Sequence, residues 1–332
     1  MEKNPMTRIL WISILLFVII FMVASCKTQK GLKQDIGEAD LKNSKDSVQE
    51  NHFDLSDSLL EGEQGDASQK QTPGKGDAKS RTSAVADSSL KNYKYSWTDS
   101  ENIPPVIIIV DDFGYATGSL LQSFANLPKE VAFAILPDLA HTQAAAQAAQ
   151  NSGRDVLIHC PMEATISKTS PGKRYLKPGQ DGETVRDMLD SFYAQMPMAI
   201  GLNNHMGSTA TQNKDLMQTV LEHLRTKGLL FVDSVTIGNT AGYRLAQSVG
   251  MRPIKRDLFL DVPDNSDATI AARISDLGRF RGRVEPVIII THCHNNAKLV
   301  ALQKFLTQIQ DMGVRLTSLS GWYGSGGVAL GN

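Results

Sequence analysis

The stretch Pro104–Tyr115, PPVIIIVDDFGY, decides the fold. Its two prolines end any preceding helix, and an unbroken β-branched run follows from Val106 to Val110. Such a run is typical of a strand that is buried on both faces, as in a parallel sheet covered by helices. The run stops at Asp111 and Asp112, and adjacent carboxylates there are costly unless they are hydrogen-bonded, paired or bound to a cation. Because ligands of α/β folds bind at the carboxyl ends of strands, the pair indicates a site, although one of the two could instead cap the next helix.

Apolar strands and amphipathic helices alternate along the chain from Ile103 onward. This alternation predicts a parallel sheet or barrel with helices outside it. The number of β/α units favours an α/β fold in the form of a distorted (β/α) barrel of about seven parallel strands. An open doubly wound sheet is the alternative, but no Gly-rich phosphate loop follows the first strand.

The N-terminal region has charged residues followed by an apolar run from Ile9 to Ala24. This is the form of a secretory signal, and the run is a little short for a transmembrane span. The residues Val23-Ala24-Ser25-Cys26 resemble the lipobox of bacterial lipoproteins. That resemblance implies a signal peptide of residues 1–25, cleavage before Cys26 and lipidation of the Cys26 sulfur. An uncleaved membrane anchor is the alternative.

Residues 26–100 are rich in Lys, Asp, Ser, Gln and Gly and have few apolar residues. Such a segment buries too little surface to offset its ordering entropy, so it is predicted to be a disordered polar tether that can be removed without unfolding the rest. The barrel domain is then expected at residues 101–323, with a flexible tail at 324–332. The formal net charge of −1 gives no reason to expect binding to nucleic acid.

Polar residues fall at the carboxyl ends of separate predicted strands. Besides Asp111 and Asp112 on the first strand, these residues are His159, His205, Asp233 and His292. Each one alone could be a core histidine or a helix cap. Because strand ends meet on one rim of a barrel, their joint placement indicates an active site.

The motifs VDDFGY, LIHCPMEA, NNHMGS and FVDS, with a strand ending in TH, resemble those of the polysaccharide deacetylase superfamily, and more closely its divergent branch. The resemblance covers most of residues 105–319. It implies a distorted barrel of seven strands and metal-dependent hydrolysis of an N-acetyl group on a sugar. Better-known members carry two histidines four residues apart after the third strand, whereas Glu163 takes the second position here. NNHMGS replaces their Arg-Pro motif, and their Asp-Trp pair is absent, which leaves Asp233 alone.

On this resemblance, one divalent metal ion is expected to bind Asp112, His159 and His205, with Glu163 as the reserve ligand. Two nitrogens, one oxygen and an open position for water suit zinc. The ligand types also fit manganese, cobalt or nickel.

The expected catalytic residues are Asp111, His292 and Asp233. Asp111 would be the general base, and His292 would protonate the departing amine. Asp233 would orient His292 or a neighbouring group. Cys160 and Cys293 each adjoin a site histidine and should therefore face away from the site as small buried hydrophobes, with metal ligation as the alternative.

The expected function is that of a hydrolase that removes N-acetyl groups from a bacterial cell-envelope glycan such as peptidoglycan. It would act from a lipid anchor, outside the cytoplasm. A carbohydrate-binding protein without turnover and a regulatory envelope lipoprotein are the alternatives. The presence of both Asp111 and His292 favours catalysis.

Replacing the predicted lipidated cysteine tests the anchor. Cys26→Ala should abolish labelling by a radioactive or clickable fatty acid and block normal processing, because it removes the acylated sulfur. Ser25→Ala is the matched control, since it keeps a small residue before the cysteine. Labelling of Cys26→Ala at the wild-type level would refute lipidation at this position.

Overall fold

A single parallel sheet of eight strands organises the described residues, which are 89–167 and 169–324 of a computed structural model. In chain order the strands are β1 (Val106–Phe113), β2 (Ala132–Ile135), β3 (Val156–Met162), β4 (Gly201–Met206), β5 (Leu230–Asp233), β6 (Ile254–Lys255), β7 (Leu258–Phe259) and β8 (Val287–His292). Their order in the sheet is β6-β5-β4-β3-β2-β1-β8-β7. The sheet curls into a half-barrel whose edge strands are β6 and β7, which confirms the predicted distorted α/β barrel.

Helices flank this sheet. They are α1 (Gly118–Ala125), α2 (Thr142–Asn151), α3 (Gly182–Gln195), α4 (Lys214–Thr226), α5 (Gly242–Ala246), α6 (Asp267–Asp276), α7 (Asn296–Asp311) and α8 (Leu319–Tyr323). Side chains of Asp181, Asn213, Ser266 and Asn295 accept hydrogen bonds from the first turns of α3, α4, α6 and α7, which satisfies amide groups that have no partner within the helix. Within the described ranges no helix is both long and apolar enough to span a membrane.

Alternation along the strands divides the apolar residues into two clusters. Ile108 and Val110 of β1 belong to the larger cluster, which lies between the sheet and the helices. Ile107 and Ile109 belong to the smaller one, which fills the inner face of the half-barrel. Leu319 of α8 joins the inner cluster. Whether a residue at a strand's carboxyl end faces inward therefore follows from its spacing to these core residues.

The folded domain begins before residue 101. Leu90 is fully buried and Trp97 is 5% exposed. The indole Nε1 of Trp97 donates a hydrogen bond to the carbonyl oxygen of Ile274 on α6, at 2.8 Å. The predicted tether of residues 26–100 is therefore wrong for residues 89–100, because its aromatic and apolar side chains bury enough surface to order the segment. Residues 1–88, with the predicted signal peptide and Cys26, and residues 325–332 of the predicted tail lie outside the described part.

Truncating Trp97 tests this boundary. Trp97→Ala should lower the free energy of unfolding by about 3–5 kcal/mol, because it removes a buried indole and leaves a cavity. Urea denaturation gives this value. Tyr93→Ala is the matched control, since Tyr93 is 39% exposed and its loss should have a much smaller effect. Equal and small effects of the two substitutions would restore the boundary at residue 101.

Candidate active site

An irregularity at the end of β1 turns two successive carboxylates toward the same histidine. In a regular strand, neighbouring side chains face opposite sides. Here the pairing of β1 with β2 shifts register between Val110 and Phe113, and Asp112 has a φ of 68°. A non-glycine residue in this left-handed conformation costs roughly 1 kcal/mol or more. As a result, Asp111 and Asp112 are both buried and both lie close to His159.

Three ligand atoms from three strand ends converge beside this irregularity. Oδ1 of Asp112 lies 3.1 Å from Nε2 of His159 and 3.1 Å from Nδ1 of His205. The two ring nitrogens are 3.0 Å apart. A tetrahedral zinc ion with bonds of about 2.0–2.1 Å spaces its ligand atoms about 3.3 Å apart, so the triangle has the size of a metal site. Over residues 89–167 and 169–324, these three residues form the only such group that could hold a metal ion.

The buried oxygen of Asp112 supports this interpretation. Its Oδ1 has no hydrogen-bond partner although two ring nitrogens lie 3.1 Å away, because neither contact has hydrogen-bond geometry. A buried carboxylate oxygen without a donor is rare and costly. A cation between Asp112, His159 and His205 would satisfy it, so the residues present fit a divalent ion. Burial alone would raise the pKa of Asp112, but the neighbouring imidazoles hold this pKa well below its usual value.

Asn203 links His159, a predicted metal ligand, to the predicted base Asp111. Its Nδ2 donates a hydrogen bond to Oδ1 of Asp111 at 2.8 Å, and its Oδ1 lies 2.9 Å from Nδ1 of His159. Because the amide oxygen only accepts, His159 carries its proton on Nδ1 and presents a lone pair at Nε2. Sequence reasoning did not single out Asn203. The available signal was its position two residues before His205, which places both on one face of β4.

His292 is held by an ion pair. Its Nδ1 lies 2.9 Å from Oδ2 of Asp261, which also accepts a hydrogen bond from Nζ of Lys298 at 2.7 Å. Phe259 stacks on the imidazole with ring centroids 5.7 Å apart. Burial alone would lower the pKa of His292, but the charge and hydrogen bond of Asp261 raise it to about 9. His292 is therefore cationic at neutral pH.

The prediction that Asp233 orients His292 is wrong. Both Asp233 oxygens accept hydrogen bonds from the loop and helix that follow β5: from the backbone N–H groups of Val235 and Tyr243 and from the hydroxyl of Thr240. Asp233 is two residues from Phe231, which belongs to the outer cluster, so it faces the helices. Asp261 is two residues from Phe259, which packs against the inner cluster, so it faces the site.

The remaining predicted residues also have definite places. Glu163 is outside the metal-type cluster, which is the group of Asp112, His159 and His205. Its backbone N–H donates to Leu176, and its carbonyl oxygen accepts from Thr209 and Ala210. Cys160 and Cys293 are fully buried in the outer cluster, which confirms that they face away from the site, and burial raises the pKa of both thiols.

The part of the chain that contains this site matches a protein family. The model of the family described as divergent polysaccharide deacetylase matches residues 108–323. The chain belongs to the divergent polysaccharide deacetylase family. The matched segment contains every residue of the metal-type cluster, together with Asp111, Asn203, Asp261 and His292.

Relatives of this deacetylase-family chain carry no assigned activity in their names. The uncharacterized protein YibQ of Escherichia coli K12 is 41% identical over 190 residues, which are 56% of this chain and 58% of that protein. An uncharacterized protein of Haemophilus influenzae is 37% identical over 155 residues, or 46% of this chain and 54% of that protein. The chain therefore matches little more than half the length of these relatives.

A solved structure shares the fold. The uncharacterized protein ATU2773 of Agrobacterium tumefaciens C58 superposes with a TM-score of 0.60 and 21% identity. The match covers 70% of this chain and 93% of that one. At this identity the likeness shows the fold alone.

The ion pair at His292 predicts a selective effect of two carboxylate substitutions. Asp261→Asn should lower the pKa of His292 from about 9 toward its usual value of 6.5, because it removes the main charge that stabilises the imidazolium. Asp233→Asn is the matched control and should leave this pKa unchanged. NMR titration of the assigned His292 ring signals measures both. A shift with Asp233→Asn and none with Asp261→Asn would reverse the assignment.

Proposed function

We propose that the domain is a metal-dependent hydrolase that removes N-acetyl groups from a cell-envelope glycan. The observation that carries this proposal is the convergence of Asp112 Oδ1, His159 Nε2 and His205 Nδ1 to within 3.1 Å of one another. The carboxylate of Asp111 and the ion-paired His292 lie at the same strand ends, where β1 pairs with β8 and Asp111 is opposite His292.

Asp112, His159 and His205 would hold one divalent ion. Two nitrogens and one oxygen with an open position suit zinc, and the same set accepts manganese, cobalt or nickel. When bound, the ion would polarise the amide carbonyl and lower the pKa of a water molecule. Asn203 supports this arrangement because it fixes the lone pair of His159 toward the triangle.

Asp111 is suited to remove a proton from the attacking water. Its Oδ1 accepts the hydrogen bond from Asn203, and its Oδ2 lies 3.7 Å from Nε2 of His159, beside the triangle. Burial raises the pKa of Asp111, although the neighbouring His159 and His292 oppose this effect. A carboxylate with a raised pKa is a stronger base than an exposed one.

His292 is suited to supply the proton that the departing nitrogen needs. Asp261 accepts a hydrogen bond from the Nδ1–H group of the imidazolium. The proton on Nε2 therefore remains available for donation. Asp111 gains one proton from the attacking water, and His292 gives one to the departing nitrogen. Release of the Asp111 proton to solvent and uptake of one by His292 restore the starting state. Water is consumed, and acetate and a free amine on the sugar are the products.

Two further observations support the proposed substrate class and cellular location. Membership in the divergent polysaccharide deacetylase family supports an N-acetylated glycan as substrate. The lipobox-like residues before Cys26 support a lipid anchor and a working position in the cell envelope, outside the cytoplasm. Peptidoglycan is the first envelope glycan to test as a substrate.

Acetate release from a panel of N-acetylated glycans tests the proposal. The wild-type protein is supplied in turn with zinc, manganese, cobalt and nickel. With at least one of these metals it should release acetate from at least one glycan of the panel. Asp111→Asn should keep the metal, measured by elemental analysis, but lower kcat by about 10²–10⁴-fold, because the lost base acts on water rather than on the ion. His159→Ala and His205→Ala should lose the metal and the activity together.

Glu163→Gln is the matched control for the ligand set. It should keep full metal stoichiometry, because Glu163 lies outside the cluster. If Glu163→Gln loses the metal and His205→Ala retains it, the ligand assignment is wrong but the proposed hydrolase activity still stands. If the wild-type protein binds none of the four metals, the hydrolase proposal fails and a carbohydrate-binding domain without turnover replaces it.

A further inference from the structure

His294 contacts the oxygen of the predicted metal ligand Asp112 that is not part of the triangle. Its Nε2 lies 2.6 Å from Oδ2 of Asp112, a short contact typical of a hydrogen bond to a charged acceptor. Only 17% of the His294 side chain is exposed. No role in the proposed reaction uses this residue.

The backbone around His294 is held on both sides. The preceding residue, Cys293, is fully buried, and its N–H donates to the carbonyl oxygen of Asp111 at 3.1 Å. The following residue, Asn295, caps α7 by accepting a hydrogen bond from the N–H of Lys298. The imidazole of His294 also stacks on that of His292, with centroids 5.3 Å apart and planes 25° apart. These contacts leave the ring little freedom to move away from Asp112.

The two oxygens of Asp112 have different surroundings as a consequence. Oδ1 faces the ring nitrogens of His159 and His205 and has no hydrogen bond, whereas Oδ2 is engaged by His294. A carboxylate can bind a cation through one oxygen or through both. With Oδ2 engaged by an N–H donor, only Oδ1 is available to a cation at the triangle.

We propose that His294 is a positioning residue that makes Asp112 bind metal through Oδ1 alone. This inference rests on the proposed function, since it assumes that the triangle holds a metal ion. Single-oxygen binding keeps the coordination number low and leaves a position open for water or a substrate oxygen, as catalytic sites require. The contact with His294 also fixes the carboxylate of Asp112, whose backbone is in the left-handed region.

Binding of cobalt(II) alone to three forms of the protein tests this role. His294→Leu cannot donate to Oδ2, so its cobalt affinity, measured by calorimetry, should fall about 10–100-fold. The visible absorption of bound cobalt should also weaken, because Asp112 becomes free to bind through both oxygens and the coordination number rises. His294→Gln places an amide donor near the position of Nε2, so it should stay close to wild type in both measurements.

Two further variants keep the test decisive. His223→Leu should match wild type, because His223 pairs with Asp190 on the surface of α3 and contributes nothing to the triangle. If His294→Leu does not fold, His294→Asn replaces it, since its shorter amide does not reach Oδ2.

Three outcomes would overturn the inference. If His294→Leu binds cobalt with wild-type affinity and spectrum, His294 does not position Asp112. If His294→Gln and His294→Leu lose affinity equally, the imidazole ligates the metal itself. If wild-type protein binds no cobalt, the proposed function fails together with this inference, a result distinguishable from the other two.

Discussion

The bulge at the end of β1 is the constraint on which the site depends. A regular strand would send Asp111 and Asp112 to opposite faces of the sheet, one toward the helices and one toward the inner face. The register shift and the left-handed Asp112 bring both carboxylates next to His159 instead. Two buried negative charges side by side are unfavourable unless they are compensated, and Asn203 and His294 each donate to one of the two carboxylates.

Each charged group of the site has a partner that sets its orientation. Asn203 holds Asp111 and fixes the tautomer of His159, Asp261 holds the proton on Nδ1 of His292, and Asp112 accepts from His294. Asn203 and His205 come from one short motif on β4, where better-known members of the superfamily have an Arg-Pro motif. In the proposed metal site, the β4 strand would thus supply both a ligand and the residue that orients another ligand, in place of the second histidine after β3.

Strand ends could be predicted from the sequence because long apolar runs that stop at polar residues are strong local signals. The rim position of Asp111, His159, His205 and His292 followed from that signal and from parallel topology. The direction of a side chain followed from alternation for Cys160 and Cys293, but not for Asp233 and Asp261, whose strands have only four and two residues. For this reason Asp261, and not the predicted Asp233, contacts His292. Asp233 lies on the same face of its strand as Phe231, which belongs to the outer cluster. Polar composition puts the tether boundary near residue 100, and the aromatic residues Tyr93, Tyr95 and Trp97 indicate an approach to the folded domain, but the sequence does not reveal the burial of Trp97 against α6.

Anomalous X-ray diffraction from crystals soaked in zinc tests the central claim most directly, because it locates the ion without reference to activity. The account predicts one strong anomalous peak about 2.0–2.2 Å from Asp112 Oδ1, His159 Nε2 and His205 Nδ1, with Asp112 Oδ2 outside bonding distance. A peak bound to Glu163, or no peak at the triangle at saturating zinc, would contradict it.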